Sequence, residues 1–95
     1  NYPTVINSSD QLIISQAASV TGTLDLSNLD IESVEGVQYF TGIDKLDLDD
    51  NKLAFIDQVA GLSALQTLRL ENNLLTTLPD LSNLVNLQTI IAYDN

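Results

Sequence analysis

Carboxylates are the abundant ionised groups in this chain that could do chemistry. Its 95 residues include 13 Asp and Glu against three Lys and Arg, with no His and no Cys. The missing residue types exclude catalytic triads that use Cys or His, zinc sites of the usual ligand type, and disulfides. What remains is chemistry by paired acids, which means calcium binding or glycoside hydrolysis.

Two acid pairs recur at one spacing, because Asp25 and Asp47, and likewise Asp49 and Glu71, are 22 residues apart. Calcium takes about six to eight oxygen ligands, and no dense D-x-D-x-D-G loop is present to supply them. A glycosidase needs one carboxyl desolvated in a cleft so that its pKa is raised, and a shallow row of strand side chains offers no cleft. We therefore expect no enzyme activity, no metal and no cofactor, and a solvated surface of mixed charge instead.

The 22-residue spacing belongs to the whole chain and not only to the acids, which indicates a stacked array of repeats. Alternation such as Leu46-Asp47-Leu48 predicts a short strand with Leu inward. The three-residue spacing of apolar residues from Leu53 to Leu62 predicts extended turns or 3₁₀ segments. The most regular columns are Leu24, Leu46, Leu68 and Ile90; Leu26, Leu48, Leu70 and Ala92; and Asn51, Asn73 and Asn95.

The repeating unit reads L-x-x-L-x-L-x-x-N-x-L, as in residues 43–53 (with Ile first) and 65–75. On these motifs residues 21–95 resemble the leucine-rich repeat family, and the period is most similar to bacterial surface repeats of the internalin type. The resemblance implies an α/β fold, a right-handed leucine-rich repeat solenoid with short parallel strands on its concave face. Turns or 3₁₀ segments form its convex side. It also implies a secreted or cell-surface bacterial protein.

We divide the chain into an N-terminal cap over residues 1–20 and about three and a half repeats over residues 21–95. Ser or Asp N-cap candidates before Leu12 predict a short helix in the cap, and a degenerate repeat coil is the rival interpretation. Leu29 replaces the Asn of the first repeat. At the other end Asn95 has no polar cap after it, which leaves two alternatives open. One is C-terminal truncation of a longer array, and the other is a homodimer through the open C-terminal coil.

Asn51, Asn73 and Asn95 each follow a predicted strand, where the chain bends. A tight bend leaves backbone groups turned inward, and an Asn side chain carries both a donor and an acceptor that can satisfy them. We therefore predict a structural ladder of Asn side chains.

Side chains that point away from the leucines form the candidate binding surface. We expect them to lie in lateral rows on the concave face and to be exposed to solvent. The resemblance implies that a protein or glycan ligand binds there. The candidate ligand-binding residues are Asp25, Lys45, Asp47, Asp49, Arg69, Glu71, Ile91 and Tyr93.

The net charge of −10 argues against nucleic acid or an anionic membrane as a partner. No apolar run approaches the roughly 18 residues needed to span a bilayer. We predict a non-catalytic interaction module. The alternative is a structural solenoid segment of a larger adhesin or extracellular enzyme, with no ligand of its own. Four strands present on the order of 300 Å² of concave face against about 800 Å² for a standard partner, so tight binding needs a longer solenoid or a dimer.

Overall fold

The strands of the protein follow one another through a single sheet. The structure, a computed structural model, describes Ala17 and residues 19–95. Within those residues the strands are β1 Gly22–Asp25, β2 Ile43–Asp47, β3 Thr67–Arg69 and β4 Thr89–Ile91. Neighbours pair in parallel in the order β1-β2-β3-β4, which confirms the predicted parallel sheet. Nearly all of the cap predicted over residues 1–20 lies outside the described residues.

The register of the sheet follows the 22-residue repeat. Leu24 pairs with Leu46, Leu46 with Leu68, and Leu68 with Ile90. Since successive side chains alternate between the two faces of a strand, the residues on either side of each leucine turn to the opposite, outer face. Apart from a shift of one residue at Gly22, which pairs with Ile43, each sequence column therefore becomes a row across the sheet.

Leucines from the strands and from the return segments share one core. Leu46, Leu48, Leu68 and Leu70 are fully buried, and so are residues on the opposite side of the core, such as Val59. No single repeat could bury these side chains alone, because each contributes only one apolar layer. The neighbouring repeats on both sides supply the cover.

The return segments contain two 3₁₀ helices in the described chain, Val37–Tyr39 and Asp57–Gly61. Around the second, the N–H of Val59 donates to the carbonyl of Ile56 and the N–H of Leu62 donates to that of Val59, both at 3.0 Å. Leu65 continues the series by donating to Leu62 at 3.0 Å. Apolar residues spaced by three are therefore joined by 3₁₀-type turns, which confirms the predicted 3₁₀ segments.

Three asparagines at the predicted ladder positions bond to the backbone where each strand ends. The Nδ2 of Asn73 donates to the carbonyls of Leu48 and Leu70 at 2.9 and 3.1 Å. Its Oδ1 accepts the N–H of Leu53 at 3.1 Å, so one side chain joins two repeats. Equivalent bonds are made by Asn51 and Asn95.

Candidate functional site

The outer face of the sheet carries its side chains in three rows. The first two rows are in strand register, and the third continues just beyond the strand ends. There the N–H of Asp50 donates to the carbonyl of Glu71 at 2.9 Å, and the N–H of Asn72 to that of Tyr93 at 3.1 Å. The rows are Thr23, Lys45, Thr67 and Thr89; Asp25, Asp47, Arg69 and Ile91; and Ser27, Asp49, Glu71 and Tyr93.

Arg69 lies at the centre of an acidic cluster on this face. Its Nε is 2.9 Å from Oδ2 of Asp49 and 3.9 Å from Oδ2 of Asp47, and its Nη2 is 3.7 Å from Oε1 of Glu71. The hydrogen bond to Asp49, reinforced by the charges of the surrounding acids, raises the pKa of the guanidinium. One cation thus offsets the repulsion that would otherwise arise between carboxylates on adjacent strands.

Asp49 is the residue for which the expectation of solvent exposure is wrong, since only 7% of its surface is accessible. Its Oδ2 receives the Nε–H of Arg69, and its Oδ1 accepts the backbone N–H of Glu71 at 2.8 Å. Both bonds reach the neighbouring strand segment. The carboxylate therefore ties the second repeat to the third and offers little surface to a ligand.

Asp25 and Asp47 occupy the same position of successive repeats and close the same turn. Oδ1 of Asp25 accepts the N–H and the hydroxyl of Ser27 at 3.0 and 2.7 Å, and Oδ1 of Asp47 accepts the N–H of Asp49 at 3.0 Å. The bonds from Ser27, helped by the charge of Lys45, lower the pKa of Asp25. Asp25 and Lys45 are exposed, so their charges remain open to a partner.

The β4 side of the face is less charged. Tyr93 is 60% exposed, and a hydrogen bond to the Glu71 carboxylate raises the pKa of its phenol. Ile91 is half-buried beside Arg69 in the second row. The face therefore changes across the sheet, from acids and a lysine at β1 and β2 to an aromatic and an aliphatic side chain at β4.

One further column emerges at the bend that follows each strand. Its residues, all Asn or Asp, adopt left-handed backbone conformations with φ between 56° and 61°, which these two residue types tolerate better than other non-glycine residues. The sequence signal is the restriction of this column to Asn and Asp, although Asp50 reads in isolation as an ordinary solvated turn residue. The column consists of Asn28, Asp50, Asn72 and Asp94.

This bend borders an open groove of about 510 Å³. Polar side chains line it, among them Asp30 and Lys52, whose Oδ1 and Nζ are 2.7 Å apart and whose side chains are more than half exposed. Within residues 17 and 19–95 no group of three or more acids could hold a metal ion. The outer face and this groove are open surfaces that carry charges of both signs.

No family model matches this chain, and its sequence has no match among curated proteins. Over the part of the chain that the structure describes, no helix has the length and apolar character needed to cross a membrane.

Proposed function

We propose that residues 21–95 form a leucine-rich repeat solenoid and that the outer face of the sheet is its concave side. Three features support this proposal. From Thr23 onward the paired strand residues are 22 apart in sequence, the return segments use turns spaced by three residues, and Asn side chains bond neighbouring repeats together. Each is a property of the leucine-rich repeat motif L-x-x-L-x-L-x-x-N-x-L, which this sequence resembles.

The solenoid acts as a non-catalytic recognition module that binds a protein or glycan ligand through the concave face. The observation that carries this proposal is the contrast between two neighbouring rows. The row that points into the core, Leu24, Leu46, Leu68 and Ile90, is aliphatic at every position. The outward row beside it changes from Asp47 to Arg69 to Ile91. Core packing fixes the inward row, so only the outward row can encode a specific partner.

The composition of the face favours a ligand with cationic and apolar parts. Asp25 and Asp47 attract positive charge at one end, while Tyr93 provides at the other end an amphipathic ring of the kind enriched at binding interfaces. The face covers on the order of 300 Å², which suits a short peptide or a few sugar residues better than a whole protein surface.

We also propose a secreted or cell-surface location in a bacterium, supported by the similarity to internalin-type repeats and by the acidic composition. Antibodies raised against the purified chain should label intact cells of the source bacterium. Labelling that requires permeabilised cells would contradict this location.

Ligand selection with matched variants tests the recognition proposal. A random peptide display library and a glycan array are screened with the wild-type chain, and the binders are measured by calorimetry. Asp25→Lys should weaken cationic binders about tenfold or more, because it reverses a charge on the face, which corresponds to about 1.4 kcal/mol. The control Asp57→Lys makes the same change on the second 3₁₀ helix and should leave affinity unchanged.

A second pair of variants tests the apolar end of the face. Tyr93→Ala should weaken binding, and Phe55→Ala should not, although Phe55 is also a mostly exposed aromatic residue. Binders that respond equally to all four variants would show that another surface recognises them. A screen that yields no binder would favour the alternative function, a structural solenoid segment of a larger adhesin or extracellular enzyme.

A further inference from the structure

The open groove beside the left-handed bends, which we call the bend groove, has a volume of about 510 Å³. Small-molecule sites typically occupy about 300–1,000 Å³. The groove crosses three successive repeats, so equivalent side chains line it at intervals of about 4.8 Å, the spacing of neighbouring strands. They form two columns, which are Asn28, Asp50 and Asn72; and Asp30, Lys52 and Leu74.

The main chain at the bend is already bonded. The N–H of Asp50 donates to the carbonyl of Glu71 at 2.9 Å, and the N–H of Lys52 donates to that of Ile31 at 2.8 Å. The two ladder asparagines that also line the groove are buried, and their amides bond to the backbone. A ligand in the groove would therefore bind to side chains rather than pair with the backbone as an added strand does.

The side chains of the first column keep unused hydrogen-bonding capacity. Nδ2 of Asn72 donates to Oδ1 of Asp50 at 2.9 Å, which leaves Oδ1 of Asn72 and Oδ2 of Asp50 without a partner in the described chain. The Asn28 side chain bonds to no other described residue. All three residues are exposed. Since an amide both donates and accepts and a carboxylate accepts, the groove can bond to a ligand in both directions.

Charges of the two columns nearly cancel. Nζ of Lys52 is 2.7 Å from Oδ1 of Asp30, so this pair adds no net charge, and Asp50 is the one remaining charged residue among the described lining. An anionic ligand would be repelled by Asp50 and by the net charge of −10. A cationic ligand would meet Lys52 beside the same acids. The balance favours an uncharged ligand with many hydroxyls, because each hydroxyl can donate and accept.

The spacing of the columns argues against an extended peptide. Such a chain rises about 3.3 Å per residue, so its groups on one side recur at about 6.6 Å and not at the 4.8 Å of the repeats. A sugar instead presents neighbouring hydroxyls together with C–H faces. Leu74 lies at the groove and can pack against such a face.

We propose that the bend groove binds an uncharged saccharide, whose hydroxyls bond to the side chains of Asn28, Asp50 and Asn72. The groove is a different surface from the outer face of the sheet, so this inference does not rest on the recognition proposal. Because the groove is open and its contacts come from a few exposed side chains, binding should be weak, with a Kd of about 1 mM.

Nuclear magnetic resonance of the ¹⁵N-labelled chain tests the site and its ligand class together. Maltotriose, cellotriose and mannotriose are titrated up to about 50 mM, a range that covers weak ligands. At least one should shift the side-chain amide signals of Asn28 and Asn72 and the backbone signal of Asp50. A disaccharide from heparin, which is anionic, should not shift them, and trilysine serves as the cationic probe.

Glycine variants of the left-handed column provide a matched pair. Asp50→Gly removes the carboxylate where φ is 60°, a conformation that glycine adopts readily. It should raise the Kd about tenfold, as expected for the loss of a hydrogen bond to a charged group. Asp94→Gly removes the same charge at φ 61° outside the groove and should leave the Kd unchanged. Asp50→Asn keeps an acceptor and should weaken binding less than Asp50→Gly.

Three results would overturn the proposal: no shift with any uncharged saccharide, groove shifts with trilysine alone, or an equal Kd for Asp50→Gly and Asp94→Gly. Asp25→Lys, which tests the outer face, should leave saccharide binding in the groove unchanged. A saccharide that responds to Asp25→Lys and not to Asp50→Gly binds the outer face, which would also overturn this site. Failure of the bend groove is thus distinguishable from failure of the recognition proposal.

Discussion

Removing the side chain of Asn73 should destabilise the protein more than the loss of any exposed polar group. Asn73 is 5% exposed, and its Oδ1 accepts the N–H of Leu53, which is itself fully buried. Asn73→Ala removes that acceptor, and an unsatisfied buried N–H costs about 1–3 kcal/mol. The carbonyls of Leu48 and Leu70 lose one bond each but keep donors from Asn51 and Asn95. The two lost bonds to these carbonyls add about 1 kcal/mol to the loss of stability, so Asn73→Ala should cost roughly 2–4 kcal/mol in total.

Urea unfolding followed by far-ultraviolet circular dichroism measures this loss, and an unchanged m-value shows that the variants unfold from comparable states. The corresponding fall in Tm is about 8–32 °C for a domain of this size, at about 4–8 °C per kcal/mol. Asn95→Ala is the matched control. Asn95 makes the same kinds of bonds from an exposed position. Water can replace its amide there, so Asn95→Ala should lower the free energy of unfolding by less than about 1 kcal/mol.

An isosteric variant separates the donors of Asn73 from its acceptor. Asn73→Asp keeps an oxygen for the Leu53 N–H but turns a carboxylate toward the carbonyls of Leu48 and Leu70. That environment raises the folded-state pKa of the new acid, because its neutral form can donate and its charged form cannot. The variant should therefore lose least stability near pH 4 and most at pH 7. Equal losses for Asn73→Ala and Asn95→Ala would refute the argument from buried hydrogen bonds.

Three further perturbations test other parts of the structure. Arg69→Met should lower Tm more than Lys52→Met, because Arg69 offsets several acids whereas the ion pair of Lys52 is largely exposed; equal shifts would contradict the role of the cluster. Glu71→Gln should lower the pKa of Tyr93 in a titration of phenol absorbance, with Tyr93→Phe identifying the signal. The wild-type Tyr93 bond should stabilise the fold below the unfolded pKa of about 10 and be lost as pH rises through the higher folded value. Asp50→Val should cost about 1–2 kcal/mol by thermal unfolding, because φ at this position is 60°, whereas Asp50→Gly should be nearly neutral.

The sheet could be predicted from the sequence because its apolar residues repeat every 22 positions. A constant 22-residue offset between apolar columns determines which residues pair, and the pairing of Leu46 with Leu68 follows directly. The three-residue spacing likewise determines the turns of the return segments, as in Val59 and Leu62. The periodicity brings Arg69 within reach of several acids on neighbouring strands. It does not contain side-chain conformation, so it did not predict that the guanidinium would bond to Asp49 and that Asp49 would be buried.

The left-handed conformation of the bend could be predicted from the sequence only by comparing equivalent positions of successive repeats. Asp50 and Asn72 look like ordinary polar turn residues when they are considered individually. As a column of four positions limited to Asn and Asp, they indicate a backbone conformation that most side chains avoid. Asn and Asp differ in charge but both tolerate positive φ. A column that alternates between them therefore indicates a left-handed backbone and not a required charge.

The acidic cluster also determines which variants of the outer face can report on binding. Arg69→Glu would put four acids side by side and remove the bond that holds the buried Asp49 carboxylate, so a loss of binding could follow from a disturbed sheet. Lys45 is exposed on the same face and makes no ion pair within the described residues. Lys45→Glu should therefore lower the unfolding midpoint much less than Arg69→Glu does, while strengthening the binding of cationic peptides. If Lys45→Glu leaves their affinity unchanged and Arg69→Glu abolishes it only with a large fall in Tm, then the outer face is scaffold and the ligand binds elsewhere.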